Sequence, residues 1–226
     1  MSKLGIISDI HGNYPALLAV MEVLSKEHCD RILCLGDITG YYSMVNECIA
    51  LLHKNNVFCL KGNHDSYLLG EGSCPRSHSV MDCIHYQQRI IKPEYLDWLR
   101  TLKPVCKRGN ILAMHGGLDD SLDEYILAFD FAKAARLYPE VQVFLSGHSH
   151  IQKVQQHERM LYCNPGAVGQ PRDKNKDAAY AILNEGNIRL GRVAYDIDWI
   201  AREMKQAGFS DYYYRNLYHG VKIGEA

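Results

Sequence analysis

The sequence predicts an α/β fold with its functional residues gathered at the carboxyl ends of strands, on three observations. Short apolar runs alternate with amphipathic stretches through the first two-thirds of the chain, the rhythm of a parallel sheet with crossover helices. These runs end, one after another, in glycine beside His, Asp or Asn. The last third changes to short strands joined by turn residues, which favours antiparallel hairpins.

Leu4–Ile10 reads as the first strand. A helix is predicted over Pro15–Lys26, where Leu17, Leu18, Met21 and Leu24 recur at three- and four-residue spacing. Arg31–Ile38 is a second strand, Val45–Lys54 a second helix with Val45, Cys48, Ile49 and Leu52 inward, and Val57–Lys61 a third strand. This β-α-β-α-β order favours a parallel sheet with right-handed crossovers. Residues 66–109 break the rhythm with Ser-Cys-Pro-Arg-Ser-His-Ser, a helical stretch around His85–Ile91, and Glu94–Leu102. They read as a cap-like insertion over one end of the sheet. Strands follow at Ile111–Met114 and Val141–Ser146, with a helix near Phe129–Tyr138 between them. Met160–Cys163, Ala178–Leu183 and Ile188–Tyr195 are the late strands, and Ile197–Ala207 is a closing helix. Residues 208–226 are polar and rich in tyrosine, with Tyr212, Tyr213 and Tyr214 adjacent. Without repeats, low-complexity tracts or linker, residues 1–226 are expected to form one domain.

At 226 residues, 47% hydrophobic and 23% charged, the chain has ordinary globular composition and room for one substantial core. That excludes disordered, collagen-like and disulfide-scaffold classes. A formal net charge of −1 provides no global field for long nucleic acid or an anionic membrane. The eight cysteines form no C-x-x-C pair and no zinc-finger spacing, and Cys34 and Cys59 sit inside apolar runs, as small buried hydrophobes of a reducing cytosol do. No signal-peptide pattern opens the chain and no apolar stretch approaches a membrane span, so a cytoplasmic location is expected.

Eleven histidines are the notable count, and five of them fall at strand ends. The first strand runs into Asp9-Ile10-His11-Gly12-Asn13, the second ends at Gly36-Asp37, and the third at Gly62-Asn63-His64-Asp65. The fourth ends at His115-Gly116 and the fifth at Gly147-His148-Ser149-His150. Ligands of an open α/β sheet bind beyond the strands' carboxyl ends, so these residues should converge. Carboxylate, amide oxygen and imidazole suit divalent ions of intermediate hardness. Asp9 and His11 can reach one ion, His148 and His150 different ones, and a central carboxylate can bridge a pair about 3.5–4 Å apart, the arrangement that stabilises attacking and leaving oxygens in phosphoryl transfer.

D-x-H, G-D, G-N-H-D, H-G and G-H-x-H, in this order, resemble the calcineurin-like metallophosphoesterase family. The likeness covers Asp9 to His150, and the run Asn164-Pro-Gly-Ala-Val-Gly-Gln-Pro-Arg-Asp extends it to Asp173, resembling the small single-domain bacterial and archaeal phosphodiesterases. The resemblance implies a four-layer αββα sandwich with two mixed sheets, the late hairpins belonging to the second sheet. It also implies two divalent ions, manganese first, with iron, nickel, cobalt, zinc or magnesium as alternatives. One ion would be held by Asp9, His11 and His150, the other by Asn63, His115 and His148, with Asp37 and a water or hydroxide bridging them. His64 would be the catalytic histidine beside the leaving group, and Asp65 would hydrogen-bond its imidazole.

The protein Ser/Thr phosphatases of the family read G-D-x-V-D-R-G and G-N-H-E, whereas this chain reads Gly36-Asp-Ile-Thr-Gly40-Tyr-Tyr and ends its third motif in Asp65. The missing Arg, which would grip a dianionic monoester, tilts the expectation to a phosphodiesterase acting on a nucleotide or similar small diester. A phosphomonoesterase is the alternative, and a non-catalytic metal-binding scaffold a more distant one, since the third-motif histidine and first-motif ligands are all kept. Asn13, Tyr41 and Arg172 are the candidate substrate contacts: Arg172 as a substitute for the missing Arg, Tyr41 and Tyr42 as stacking surfaces for a base. The expected partner is a small phosphoester, with no long nucleic acid and no membrane; homo-oligomerisation is left open.

Overall fold

The computed structural model describes residues 3–74 and 77–226; Pro75 and Arg76 of the cap segment, and the first two residues, lie outside the described residues. The strands form two five-stranded mixed sheets. The first contains β1 (Leu4–Ile7), β2 (Arg31–Cys34), β3 (Phe58–Cys59), β9 (Ala178–Asn184) and β10 (Asn187–Val193), in the order β10-β9-β1-β2-β3. The second contains β4 (Val105–Arg108), β5 (Ile111–Met114), β6 (Val143–Leu145), β7 (Gln152–His157) and β8 (Met160–Pro165), in the order β4-β5-β6-β8-β7. β1, β2 and β3 run parallel as the alternating pattern predicts. The single parallel sheet is corrected: β5, β6 and β8 build a second parallel set. The β9–β10 hairpin joins the first sheet by antiparallel pairing of β9 with β1, whereas the resemblance placed it in the second.

Alternation along each strand explains the layers. Ile6, Leu33, Leu35, Ala113, Val143, Leu145, Ala181 and Leu183 face one another between the sheets. Their sequence neighbours face outward: Ile7, Tyr180 and Ile182 pack under helices of the first sheet, and Leu112, Met114 and Phe144 pack on the other side against Ala134 of α6 (Phe131–Leu137). A period of two thus gives every central strand two buried faces. The first sheet is covered by α1 (Tyr14–Lys26), α2 (Val45–Lys54), α4 (His78–Ile90), α5 (Pro93–Thr101) and α7 (Ile197–Gln206), all of which contribute to one cluster. α1 starts at Asn13, whose side chain accepts from Ala16 N, with Pro15 in its first turn. Asp130 and Asp196 cap α6 and α7 in the same way, accepting from Lys133 N and Trp199 N. The cap segment's helices lie beside α2: Asn46 donates to Ile90 O and accepts from Lys92 N, and His53 packs edge-on against Tyr95 and Trp98.

The first strands are shorter than predicted because the chain turns sharply into each motif. β1 ends at Ile7 rather than Ile10 and β2 at Cys34 rather than Ile38, while α4 begins at His78, well before the predicted His85. α3 (Asn63–Leu68) starts inside the third motif, where the sequence pattern predicts only a strand end. Among the described residues, no helix is long and apolar enough to cross a membrane.

Candidate metal centre and active site

The turns after β1, β2 and β3 of one sheet meet those after β5 and β6 of the other. Asp9 N donates to Gly36 O at 3.0 Å and His11 N to Asp37 O at 2.9 Å, lacing the first two turns together. His64 N donates to Asp37 Oδ1 at 2.8 Å, and across the sandwich His148 N donates to Asp9 Oδ2 at 3.1 Å. Asp9, His11, Asp37, His148 and His150 all hold φ between 53° and 64°, the left-handed region that side-chain-bearing residues avoid. Each such residue costs of order 1–3 kcal/mol, borne by the packed sandwich beneath. Gly40 shows how tight the assembly is: with φ 134°, an added Cβ would stand 2.4 Å from His11 Nδ1 and 2.7 Å from His64 Nδ1.

The side chains converge with lone pairs facing lone pairs. His11 Nδ1 lies 2.9 Å from Thr39 O and His150 Nδ1 2.6 Å from Gln170 O, contacts that need each Nδ1 to carry its proton. The bare Nε2 atoms then face each other at 3.2 Å, with Asp9 Oδ1 3.8 Å from the first and 3.3 Å from the second. His115 repeats the pattern: Nδ1 lies 3.0 Å from Leu35 O, and Nε2 faces Asn63 Oδ1 at 3.0 Å and Asp37 Oδ2 at 3.3 Å. His148 Nδ1 lies 3.1 Å from the same Asn63 Oδ1. Asp9 Oδ1 and Asp37 Oδ2 are buried with no hydrogen-bond partner. Acceptors packed against acceptors call for a cation between them, and these donors fit a divalent ion of intermediate hardness. Two groups could each hold one, Asp9–His11–His150 and Asp37–His115–His148, and His11–Asp37–His64 lies between them.

The ion-free electrostatics agree. Burial pushes Asp9 up to about 7, helped by the charge of Asp37. Burial also opposes ionisation of Asp37, but His115, His64 and His11 outweigh it and hold that carboxyl well below its ordinary range. His115, which burial alone would push down, is raised to about 9 by Asp37, so a proton occupies the place a cation would take. Burial lowers His11, His148 and His150. An ion needs neutral His115 and ionised Asp9, so binding displaces the His115 proton below pH about 9 and the Asp9 proton as well below about 7. Metal affinity is therefore expected to be full above pH about 9 and to weaken as pH falls, about tenfold per unit at first and more steeply below about 7. Calorimetric titration in buffers of different ionisation enthalpy measures this, and an affinity flat between pH 6 and about 9 would contradict it.

Residues 2–187 match the calcineurin-like phosphoesterase superfamily domain. The chain belongs to that superfamily. It is a metal-dependent phosphoric ester hydrolase, in keeping with the donor cluster just described. An uncharacterized protein of Methanocaldococcus jannaschii is 33% identical over 219 residues, covering 87% of this chain and 89% of that one. A symmetrical bis(5′-nucleosyl)-tetraphosphatase of Neisseria gonorrhoeae is 28% identical over 152 residues, 64% of this chain; the match spans about half of that protein, 51%. Among solved structures, a metallophosphoesterase of Sphaerobacter thermophilus superposes with TM-score 0.82 at 28% identity, covering 97% of this chain and 99% of that one. A Pyrococcus horikoshii protein shares the fold at TM-score 0.86 and 22% identity, covering 98% and 100%.

The other residues singled out in this phosphoesterase divide between cavity and scaffold. His64 is buried at the cluster, its Nε2 4.0 Å from Asp37 Oδ2 and its Nδ1 without a partner. The expected Asp65–His64 hydrogen bond is corrected. Asp65 accepts from Ile38 N and Thr39 N with one oxygen and from Gly62 N with the other, clamping the second motif to the start of α3. Arg172 reaches a cavity of about 250 Å³ above the cluster, its guanidinium held by Gln170 Oε1 and Tyr41 OH. Tyr41 lines the same cavity, with its ring against His11 and His64. Tyr42 is corrected: it is fully buried, its hydroxyl accepting from Gln170 and Asn216, so it offers no face to a base. Asn13 is turned away as well, donating to Gly169 O and Tyr195 OH while capping α1. His78 and His85 are exposed on α4. Sequence reasoning missed Tyr125, whose ring packs 4.2 Å from that of His148, and Gln87, which accepts from Gly40 N. Gln170 lies inside the Asn164–Asp173 run, but nothing in its residue type signals that it braces Arg172.

Proposed function

We propose that this phosphoesterase cleaves a phosphodiester, of a nucleotide or a similar small diester, at a dinuclear centre. The observation carrying the reading is the position of Asp37, whose Oδ2 lies 3.7 Å from His11 Nε2 on one side and 3.3 Å from His115 Nε2 on the other. One carboxylate oxygen can thereby serve both donor groups, Asp9–His11–His150 and Asn63–His115–His148. Two divalent ions there, manganese first, would supply Lewis acidity and lower the pKa of water toward neutrality. The chain's own residues do the rest. The carbonyls of Thr39, Leu35 and Gln170 fix three imidazoles with Nε2 inward. Arg172 and Tyr41 face the cavity where the ester would lie, the guanidinium positioned for non-bridging phosphate oxygens. His64, which lines the same cavity, would assist the departing oxygen. The name of the Neisseria relative supports a nucleotide as substrate.

Arg172 also favours a second reading, phosphomonoester hydrolysis, because a guanidinium suits a dianion. The test is kcat/KM for bis-p-nitrophenyl phosphate against p-nitrophenyl phosphate on one manganese-loaded preparation. The diester is expected to be the better substrate by about tenfold or more, and a reversed ratio would replace this reading by the second.

A further inference from the structure

The turn after β5 brings two side chains to the cluster that no motif names. Gly116 N donates to Ser121 O at 2.7 Å and Gly117 N to Asp120 O at 2.8 Å, folding the chain back on itself directly after His115. The approach is close: a Cβ added at Gly116 would meet Asp120 O at 2.6 Å. Asp120 Oδ1 accepts from Leu122 N and Asp123 N, and Glu124 Oε2 accepts from Asp119 N and Asp120 N. So braced, Asp123 Oδ1 stands 3.2 Å from His148 Nε2, and the Tyr125 ring packs 4.2 Å from the imidazole. Nε2 is buried without an aligned hydrogen bond. The last torsion of an aspartate is soft, so turning the carboxylate into line costs little.

His148 differs from the other donor imidazoles in the nitrogen that faces the cluster. His11, His115 and His150 each turn Nδ1 to a backbone carbonyl and Nε2 inward. His148 turns Nδ1 inward, 3.1 Å from Asn63 Oδ1, and Nε2 toward Asp123. Asn63 Nδ2 donates to Tyr67 OH at 3.2 Å, which fixes the amide with its oxygen inward. That oxygen also lies 3.0 Å from His115 Nε2. A proton on His148 Nδ1 would satisfy Asn63 but set the bare Nε2 against a carboxylate. A proton on Nε2 satisfies the carboxylate and leaves His148 Nδ1, Asn63 Oδ1 and His115 Nε2 as acceptors around one point, the donor set for a cation.

We infer that Asp123 is a positioning residue: it holds the Nε2 proton of His148 and so presents Nδ1 as the ligand atom for the ion of the Asn63–His115–His148 group. The inference rests on the dinuclear centre proposed above. A carboxylate that takes the remaining N–H of a ligand imidazole fixes its tautomer and raises its basicity, and losing one typically costs about 10–100-fold in metal affinity.

The test uses the full chain loaded with zinc, which is diamagnetic, and carrying isotope-labelled histidine. In long-range nitrogen–proton NMR spectra, His148 (identified by its absence from His148→Asn) should show its proton on Nε2 and zinc at Nδ1, whereas His11, His115 and His150 should show the reverse. Affinity for the second zinc ion, measured by competition with a chromophoric chelator, should fall about tenfold or more in Asp123→Ala and stay within about threefold in Asp123→Asn, whose side-chain oxygen still accepts. The metal-free Tm of both variants should match wild type, because the bond from Asp123 N to Asp120 survives either substitution. Zinc at His148 Nε2 overturns the inference, as does an affinity unchanged in Asp123→Ala. A metal-free Tm that falls in step with the affinity makes Asp123 a structural residue and overturns it too. Wild-type protein that takes up one zinc ion instead of two overturns the dinuclear centre itself, and this inference with it.

Discussion

Protein stripped of divalent ions is expected to lose hydrolysis of bis-p-nitrophenyl phosphate by at least about 10³-fold, and added manganese to restore it, because the ions' charge stabilisation is worth several kcal/mol. The physical basis is the set of buried acceptors: Asp9 Oδ1 and the facing Nε2 atoms of His11 and His150, with Asp37 Oδ2 faced by nothing better than the imidazole of His115. No side chain at the cluster can take over the ions' role. Arg172 is engaged by Gln170 and Tyr41, and the His115 proton is held against Asp37. Asp37→Asn, purified identically, should resemble the stripped protein and stay poorly rescued by manganese, which separates the enzyme from a contaminant. Turnover that survives thorough chelation would remove the metal centre from the reaction.

His64→Asn is expected to lower turnover by roughly 10²–10⁴ while ion content stays at the wild-type level. Burial holds His64 down to about 4, so at neutral pH the imidazole is uncharged and acts through an N–H toward the departing oxygen, not as a free imidazolium. The loss should accordingly be larger for an alkyl ester, whose alkoxide needs a proton, than for p-nitrophenolate, which leaves without one. His64 also lies within reach of His11 and Asp37 as a third grouping that could hold an ion. Elemental analysis of the variant decides between the roles: a lost ion would make His64 a ligand, and an unchanged rate would leave it with neither role.

The parts of this molecule legible in its sequence are those written in local periodicity. Val45–Lys54 and Ile111–Met114 coincide with their predicted bounds because each shows a single clear pattern between turn residues. β4 and β7 escaped notice: they are the two outer strands of the second sheet, and Val-Cys-Lys-Arg and Gln-Lys-Val-Gln-Gln-His carry the polar side chains expected of edges. Nor does periodicity say which strand pairs with which, so the split into two sheets and the pairing of β9 with β1 were not readable from the runs themselves. The candidate donor residues were legible because they end strands beside glycines. Asp65 was misjudged because Gly62-Asn63-His64-Asp65 is also a helix start, and the acidic side chain three residues in reaches back to the Gly62 N–H. The tail's place beside the cavity depends on Asn216 reaching Tyr42, a contact between residues far apart in sequence that no motif announces.

The donor residues come from turns of both sheets: Asp9, Asp37 and Asn63 follow strands of the first, His115, His148 and His150 those of the second. An ion held by Asp9 and His150 would close a loop containing more than half of the chain, and one held by Asn63 and His115 would close another. Such closures act on the unfolded ensemble as cross-links do, by removing conformations that the open chain could explore. All eight cysteines are free thiols, so no covalent bridge fills that role. Ions bound there would be staples of the sandwich, removable by a chelator and replaceable from solution.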